Sequence, residues 1–187
     1  MFERTIRSVT LYFEGEGLGR ILSRITRIRR VNEESFHDVR NRSIGLNPAD
    51  TKKPWAAFHR RPYLLIHEIG HHFAEVVLTR GDRKRFVGLF GDYDAPYRRA
   101  PKPRVADADH VSRYAMTHPA EDFAETFAVC LWRSWEPDAV DRLLSGKSAQ
   151  CRRKVSTVRH LLDSVKSPVP AAPIRASPRR AQKAGRA

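Results

Sequence analysis

Two of the eight histidines bracket a glutamate in the run His67-Glu68-Ile69-Gly70-His71, inside the apolar stretch Tyr63 to Leu78. On a helix, residues four apart lie on one face, one turn from each other. Two imidazoles so placed can take adjacent corners of a tetrahedral zinc site, each at ~2.0–2.1 Å from the ion. The glutamate between them can reach a water at the metal and act as general base. The chemistry this predicts is hydrolysis by a metal-activated water.

Such a site needs a third protein ligand. Glu121 and Glu125 lie four apart in His118-Pro119-Ala120-Glu121-Asp122-Phe123-Ala124-Glu125-Thr126-Phe127-Ala128. Pro119 followed by acids marks a helix start. The two glutamates share a face in an otherwise apolar segment, and a carboxylate on a second helix completes a His₂Glu set. On spacing alone either glutamate can serve. Asp122 is read as an acid favouring the helix macrodipole. His72 points away from the His67/His71 face and is expected in the core or behind the ligands. His118 could assist at the site or cap the helix. His37, His59, His110 and His160 show no ligand spacing.

The elements that must carry these residues follow from periodicity. Residues 6–13 mix alternation with β-formers and predict a strand. Leu18, Ile21, Leu22, Ile25 and Ile28 stand at helical spacing among arginines and predict an amphipathic, basic helix. Residues 43–47 predict a short strand, stopped by Pro48, that could offer a free edge to an extended peptide. Residues 48–61, with Trp55 and Phe58, read as a polar connection. Pro62 suits the first turn of the His67/His71 helix, which is expected to run to about Thr79 with Gly81 as its stop. Gly70 sits mid-helix at a cost of ~1 kcal/mol relative to alanine, a cost that close approach of a second element would explain. Residues 80–112, including Pro101-Lys102-Pro103, read as a long connection with little regular pattern. Further helices are expected from Pro119, after Pro137, and around Val155 to Val165. No internal repeat is evident.

At 187 residues, one domain is expected over 1–166. From Ser167 to Ala187 the chain holds four prolines and five basic residues and no acids, a composition expected to be disordered. The formal charge is +14, and removing the tail's five leaves the body at +9. Basic helices and tail suggest weak contact with nucleic acid or an anionic surface, although no nucleic-acid-binding motif accompanies them. Cys130 and Cys151 have no paired spacing, and Cys130 is expected as a buried thiol. The first residues contain no apolar core of a secretory signal, and no run approaches a membrane span. A cytoplasmic setting is expected.

The block Leu89-Phe90-Gly91-Asp92, Val111-Ser112-Arg113-Tyr114-Ala115 and His118 to Ala128, together with Ile66 to His71, resembles the bacterial zinc-binding metallopeptidase family over roughly residues 60–135. With two cysteines in the sequence, the zinc ribbon carried by some members is not expected. The seven-residue interval from Tyr114 to Glu121 is also similar to that in the catalytic domain of anthrax lethal factor. The resemblance implies an α+β, zincin-like, helix-rich fold with a small N-terminal sheet. It implies one Zn²⁺ ion held by His67, His71 and Glu121, with Glu68 as general base. Glu125 would then orient a ligand histidine, with His118 near the site, and Tyr114 would stabilise the oxyanion. The expected partner is a protein or peptide substrate. Other readings are a regulatory or nucleic-acid-associated metal-binding module, and a toxin or effector protease of narrow specificity.

Overall fold

The computed structural model describes residues 2–50, 57–58, 61–99 and 107–166. The basic tail, Trp55, His59 and the segment 101–103 lie outside these residues. The described chain is helix-rich with one small sheet: α1 (Phe2–Gly15), α2 (Gly19–Leu22), β1 (Arg27–Arg30), β2 (Phe36–Asp38), β3 (Ser43–Leu46), α3 (Arg61–His72), a π turn (Phe73–Val77), α4 (Arg80–Phe90), a 3₁₀ turn (Ala115–Thr117), α5 (Pro119–Trp132), α6 (Pro137–Ser145) and α7 (Ala149–Val165).

Two N-terminal expectations are corrected. Residues 6–13 are helix α1 rather than a strand. Thr5, Val9 and Phe13 recur at intervals of four and are buried, whereas Leu11 faces solvent. That spacing gives a helix one continuous face to pack on α3, and the contact overrides the β propensity of the individual residues. The helix expected from Leu18 onward stops at Leu22. Leu18 and Ile21 are buried as its apolar face. The following Ile25-Thr26-Arg27-Ile28 turns into β1, where branched side chains lose less freedom than in a helix.

The sheet has the order β1-β3-β2, with β1 parallel and β2 antiparallel to β3. The strand expected at 43–47 is therefore present but central, and all four residues of β3 are buried. It offers no free edge to a peptide. Phe36 lies over Gly45, where an added Cβ would come within 2.5 Å of the ring.

α5 is the axis of the helical part. Every residue from Ala120 to Trp132 is buried, with α3, α4, α6 and α7 packed around it. Phe73 of the π turn packs against Phe123 and Phe127 of α5, and Phe13 of α1 adds to the cluster. Burying each such ring contributes ~1.5–3 kcal/mol. Asp122 has a specific partner beyond the macrodipole: its Oδ2 accepts from Lys154 Nζ of α7 at 2.6 Å, both side chains being buried. Burial raises Asp122 to about 6, with Lys154 and His110 pulling it back.

The region expected to lack pattern contains α4. Its start is a reciprocal cap in which Thr79 Oγ1 accepts from Asp82 N and Asp82 Oδ2 accepts from Thr79 N. Gly81 thus lies in the first turn of α4 and does not stop α3. The π turn carries the helix on to Leu78, which is extended.

Gly70 is where α3 meets α5. A Cβ there would stand 3.0 Å from Ala124 Cα, 3.2 Å from Phe127 Cδ1 and 3.3 Å from Ala124 O. Two of those atoms are backbone and cannot step aside. Gly70→Ala should therefore destabilise the fold by ~1–3 kcal/mol through overpacking, despite alanine's better helix propensity. Urea unfolding would measure it. A variant as stable as wild type would show that the helices are not held in contact here.

Candidate metal centre

α3 buries Leu65, Ile66 and Ile69 and turns His67, Glu68 and His71 toward a cleft of ≈ 1440 Å³. α5 presents Glu121 from the facing wall. Its start is fixed by His118, whose Nδ1 accepts from Ala120 N at 3.1 Å and whose Nε2–H donates to Ala95 O at 2.6 Å. Both ring nitrogens are thus committed to backbone, and His118 acts as the helix cap. With Pro119 opening the first turn, Glu121 falls on the last residue of that turn and Glu125 one turn further on.

His67 Nε2, His71 Nε2 and Glu121 Oε2 converge on one point. The two nitrogens are 3.2 Å apart, and Glu121 Oε2 lies 3.1 Å from His67 Nε2 and 3.3 Å from His71 Nε2. Ligands at ~2.0–2.1 Å from a tetrahedral ion stand about 3.3 Å from one another, so the triangle has the size zinc requires. Glu121 Oε2 is buried and has no hydrogen-bond partner, a costly condition that a cation would relieve. These three residues could hold a metal ion, and they form the only such group among the described residues.

Glu125 faces the other side of the His67 ring. Its Oε1 is 3.0 Å from His67 Nδ1, and its Oε2 accepts from Ala57 N at 2.9 Å. An Nδ1–H bonded to Glu125 leaves the Nε2 lone pair directed at the triangle. Tyr114 precedes the 3₁₀ turn and places its ring centroid 5.7 Å from that of His67. Burial, then Glu121 and Glu68, raise its pKa, so the phenol stays protonated.

Two features were not anticipated. Tyr97 donates to Glu121 Oε1 at 2.8 Å; its segment showed no sequence pattern. His72 is buried, as expected, but its Nδ1 is bonded to Nε2 of His37, a histidine without ligand spacing, at 3.0 Å. His37 Nδ1 faces Glu75 at 4.0 Å, and Glu75 accepts from Tyr93. Burial lowers His37 and His72 to about 4, so both are neutral.

His67 and His71 behave oppositely. Burial alone would lower His67, but the Glu121 and Glu125 carboxylates beside its two ring nitrogens outweigh it and hold it well above its usual 6.5. His71 is raised against burial by Glu121, and Glu121 is held well below 4.5 by the two imidazoles, again against burial. Without metal, then, protons occupy the site near neutral pH. A metal ion entering the site would have to displace them. Zinc affinity should still climb with pH above 6.5, the ordinary histidine value, and uptake at pH 7 should release protons. Calorimetry in buffers of different ionisation enthalpy measures this, and a buffer-independent heat would contradict it.

Residues 64–143 match the family described as "Putative zinc-binding metallo-peptidase". Two mycobacterial relatives, the uncharacterized proteins Rv2568c of Mycobacterium tuberculosis and Mb2598c of Mycobacterium bovis, are each 42% identical over 71 residues, covering 33% of this chain and 21% of theirs. The chain thus spans about a fifth of the length of the curated relatives it matches. No solved structure matches it. The matched segment contains all three converging residues.

Proposed function

We propose that the chain is a zinc-dependent metallopeptidase of zincin-like architecture, with one ion held by His67, His71 and Glu121. The observation that carries this reading is the triangle of three donor atoms with tetrahedral spacing and an unpartnered buried oxygen. A bound zinc ion would supply a Lewis acid that acidifies water and polarises a carbonyl. Glu68, buried on the cleft wall between the two histidines, takes the proton from the attacking water and passes it to the leaving amine. Tyr114 donates a hydrogen bond to the developing oxyanion; donors in this role contribute ~10²–10³ in rate. Glu125 holds His67 in the tautomer that directs Nε2 into the site. His118 holds the start of the Glu121 helix.

The cleft supports a chain-like substrate. Its ≈ 1440 Å³ exceeds the ~300–1,000 Å³ of small-molecule sites. Phe36 and His37 of β2 line it. Among the described residues β2 pairs only with β3, which leaves its outer edge for an extended peptide.

Glu68→Gln keeps a hydrogen-bonding side chain but cannot take a proton. It should bind zinc like wild type and lose ~10²–10⁴ in peptide hydrolysis, read by metal analysis beside a peptide-cleavage assay. Full activity would remove Glu68 as the base. A zinc-loaded wild type that cleaves nothing would favour a metal-binding module without protease activity, and cleavage of a single protein would favour narrow specificity.

A further inference from the structure

We propose that Tyr97 is a positioning residue that fixes Glu121 as a one-oxygen ligand; the inference rests on the metal-holding role of His67, His71 and Glu121. The two oxygens of Glu121 have different surroundings. Oε2 faces the imidazoles and has no hydrogen-bond partner, whereas Oε1 accepts from the Tyr97 hydroxyl at 2.8 Å. A carboxylate can bind a metal through one oxygen or through both. A phenol donating to Oε1 draws its lone pair toward the hydroxyl and away from the ion. Turning the carboxylate to bring both oxygens onto the metal would break that bond. One-oxygen binding leaves the fourth tetrahedral position open, which a catalytic site requires and a closed structural site lacks.

The hydroxyl is held by more than the bond it makes. The Tyr97 ring stacks on His118 with centroids 4.1 Å apart and planes 7° from parallel. His118 is pinned at both nitrogens by Ala95 O and Ala120 N. The next residue is tied to the same wall, where Arg98 N donates to Thr117 O at 2.7 Å. Tyr97 is nevertheless 64% exposed, so its outer face borders the cleft while its hydroxyl reaches a buried carboxylate. A tyrosine serving only to cover the core would need neither that exposure nor that bond.

The test uses the full chain with zinc and with cobalt(II), whose visible absorption reports coordination number. Tyr97→Phe keeps the stack and removes the hydroxyl; Tyr97→Leu removes both. Tyr93→Phe removes a neighbouring hydroxyl that bonds Glu75 and not Glu121. Tyr97→Phe and Tyr97→Leu should both weaken zinc binding ~10–100-fold, read by chelator competition, and should shift the cobalt spectrum toward the weaker absorption of a higher-coordinate centre. Tyr93→Phe should match wild type in both readouts. If Tyr97→Phe matches wild type and only Tyr97→Leu is weakened, the stack matters and the hydroxyl does not, which overturns the proposal. If both Tyr97 variants match wild type, the proposal is overturned as well. Failure of the metal reading is a separate result, in which wild type and Glu121→Ala bind zinc equally poorly.

Discussion

The site depends on how closely α3 and α5 approach. His67 and His71 come from one helix and Glu121 and Glu125 from the other. Donor atoms on two rigid bodies stay within 3.1–3.3 Å only if the bodies cannot separate. Gly70 against the Ala124 backbone sets the distance. The phenylalanine cluster supplies the force that closes it, and the buried Asp122–Lys154 pair ties α5 to α7 behind it. Breaking one partner of such a buried pair costs ~3–5 kcal/mol, so the face of α5 opposite the site is also constrained. Glu121 and Asp122, adjacent in sequence, thus face different tasks.

Electrostatics sorts four neighbouring histidines into two pairs. His67 and His71 sit against carboxylates and are raised, while burial lowers His37 and His72 to about 4, with His72 adding to the effect on His37 and Arg24 and Arg42 to that on His72. His71 and His72 are adjacent residues, yet the 100° step of the helix gives them opposite surroundings. The first pair, with Glu121, is thus the one that could hold a cation. The second remains a neutral hydrogen-bonded unit linking α3 to β2 through His72 and His37.

The sequence made the donor set legible because its spacing is helical and local. His67 and His71 lie one turn apart, Glu121 and Glu125 likewise, and Pro119 marks the start of the second helix. Neither spacing nor periodicity decided between the two glutamates; the resemblance pointed to Glu121. The structure adds the geometry, since Glu125 lies on the Nδ1 side of His67. The N-terminal half was harder to read. Short runs such as residues 6–13 and 25–30 satisfy both periodicities weakly, and the outcome rests on partners far away in the chain: α3 for the first, β3 for the second. The cap of α4 was readable in Thr79-Arg80-Gly81-Asp82 but was obscured by taking Gly81 as a stop. Tyr97 carried no local signal, since its contact with Glu121 spans 24 residues.

The cleft draws its two sides from different stretches of chain. The three converging donors fall within 64–143, whereas Glu34, Ser35, Phe36 and His37 line the cleft from the N-terminal sheet region. The sheet region contributes none of the three donors. Substitutions around 34–37 can therefore reshape what runs along the cleft while the donor geometry stays fixed. Change within such a fold can fall on that wall while the two helices that bring the three donors together stay as they are.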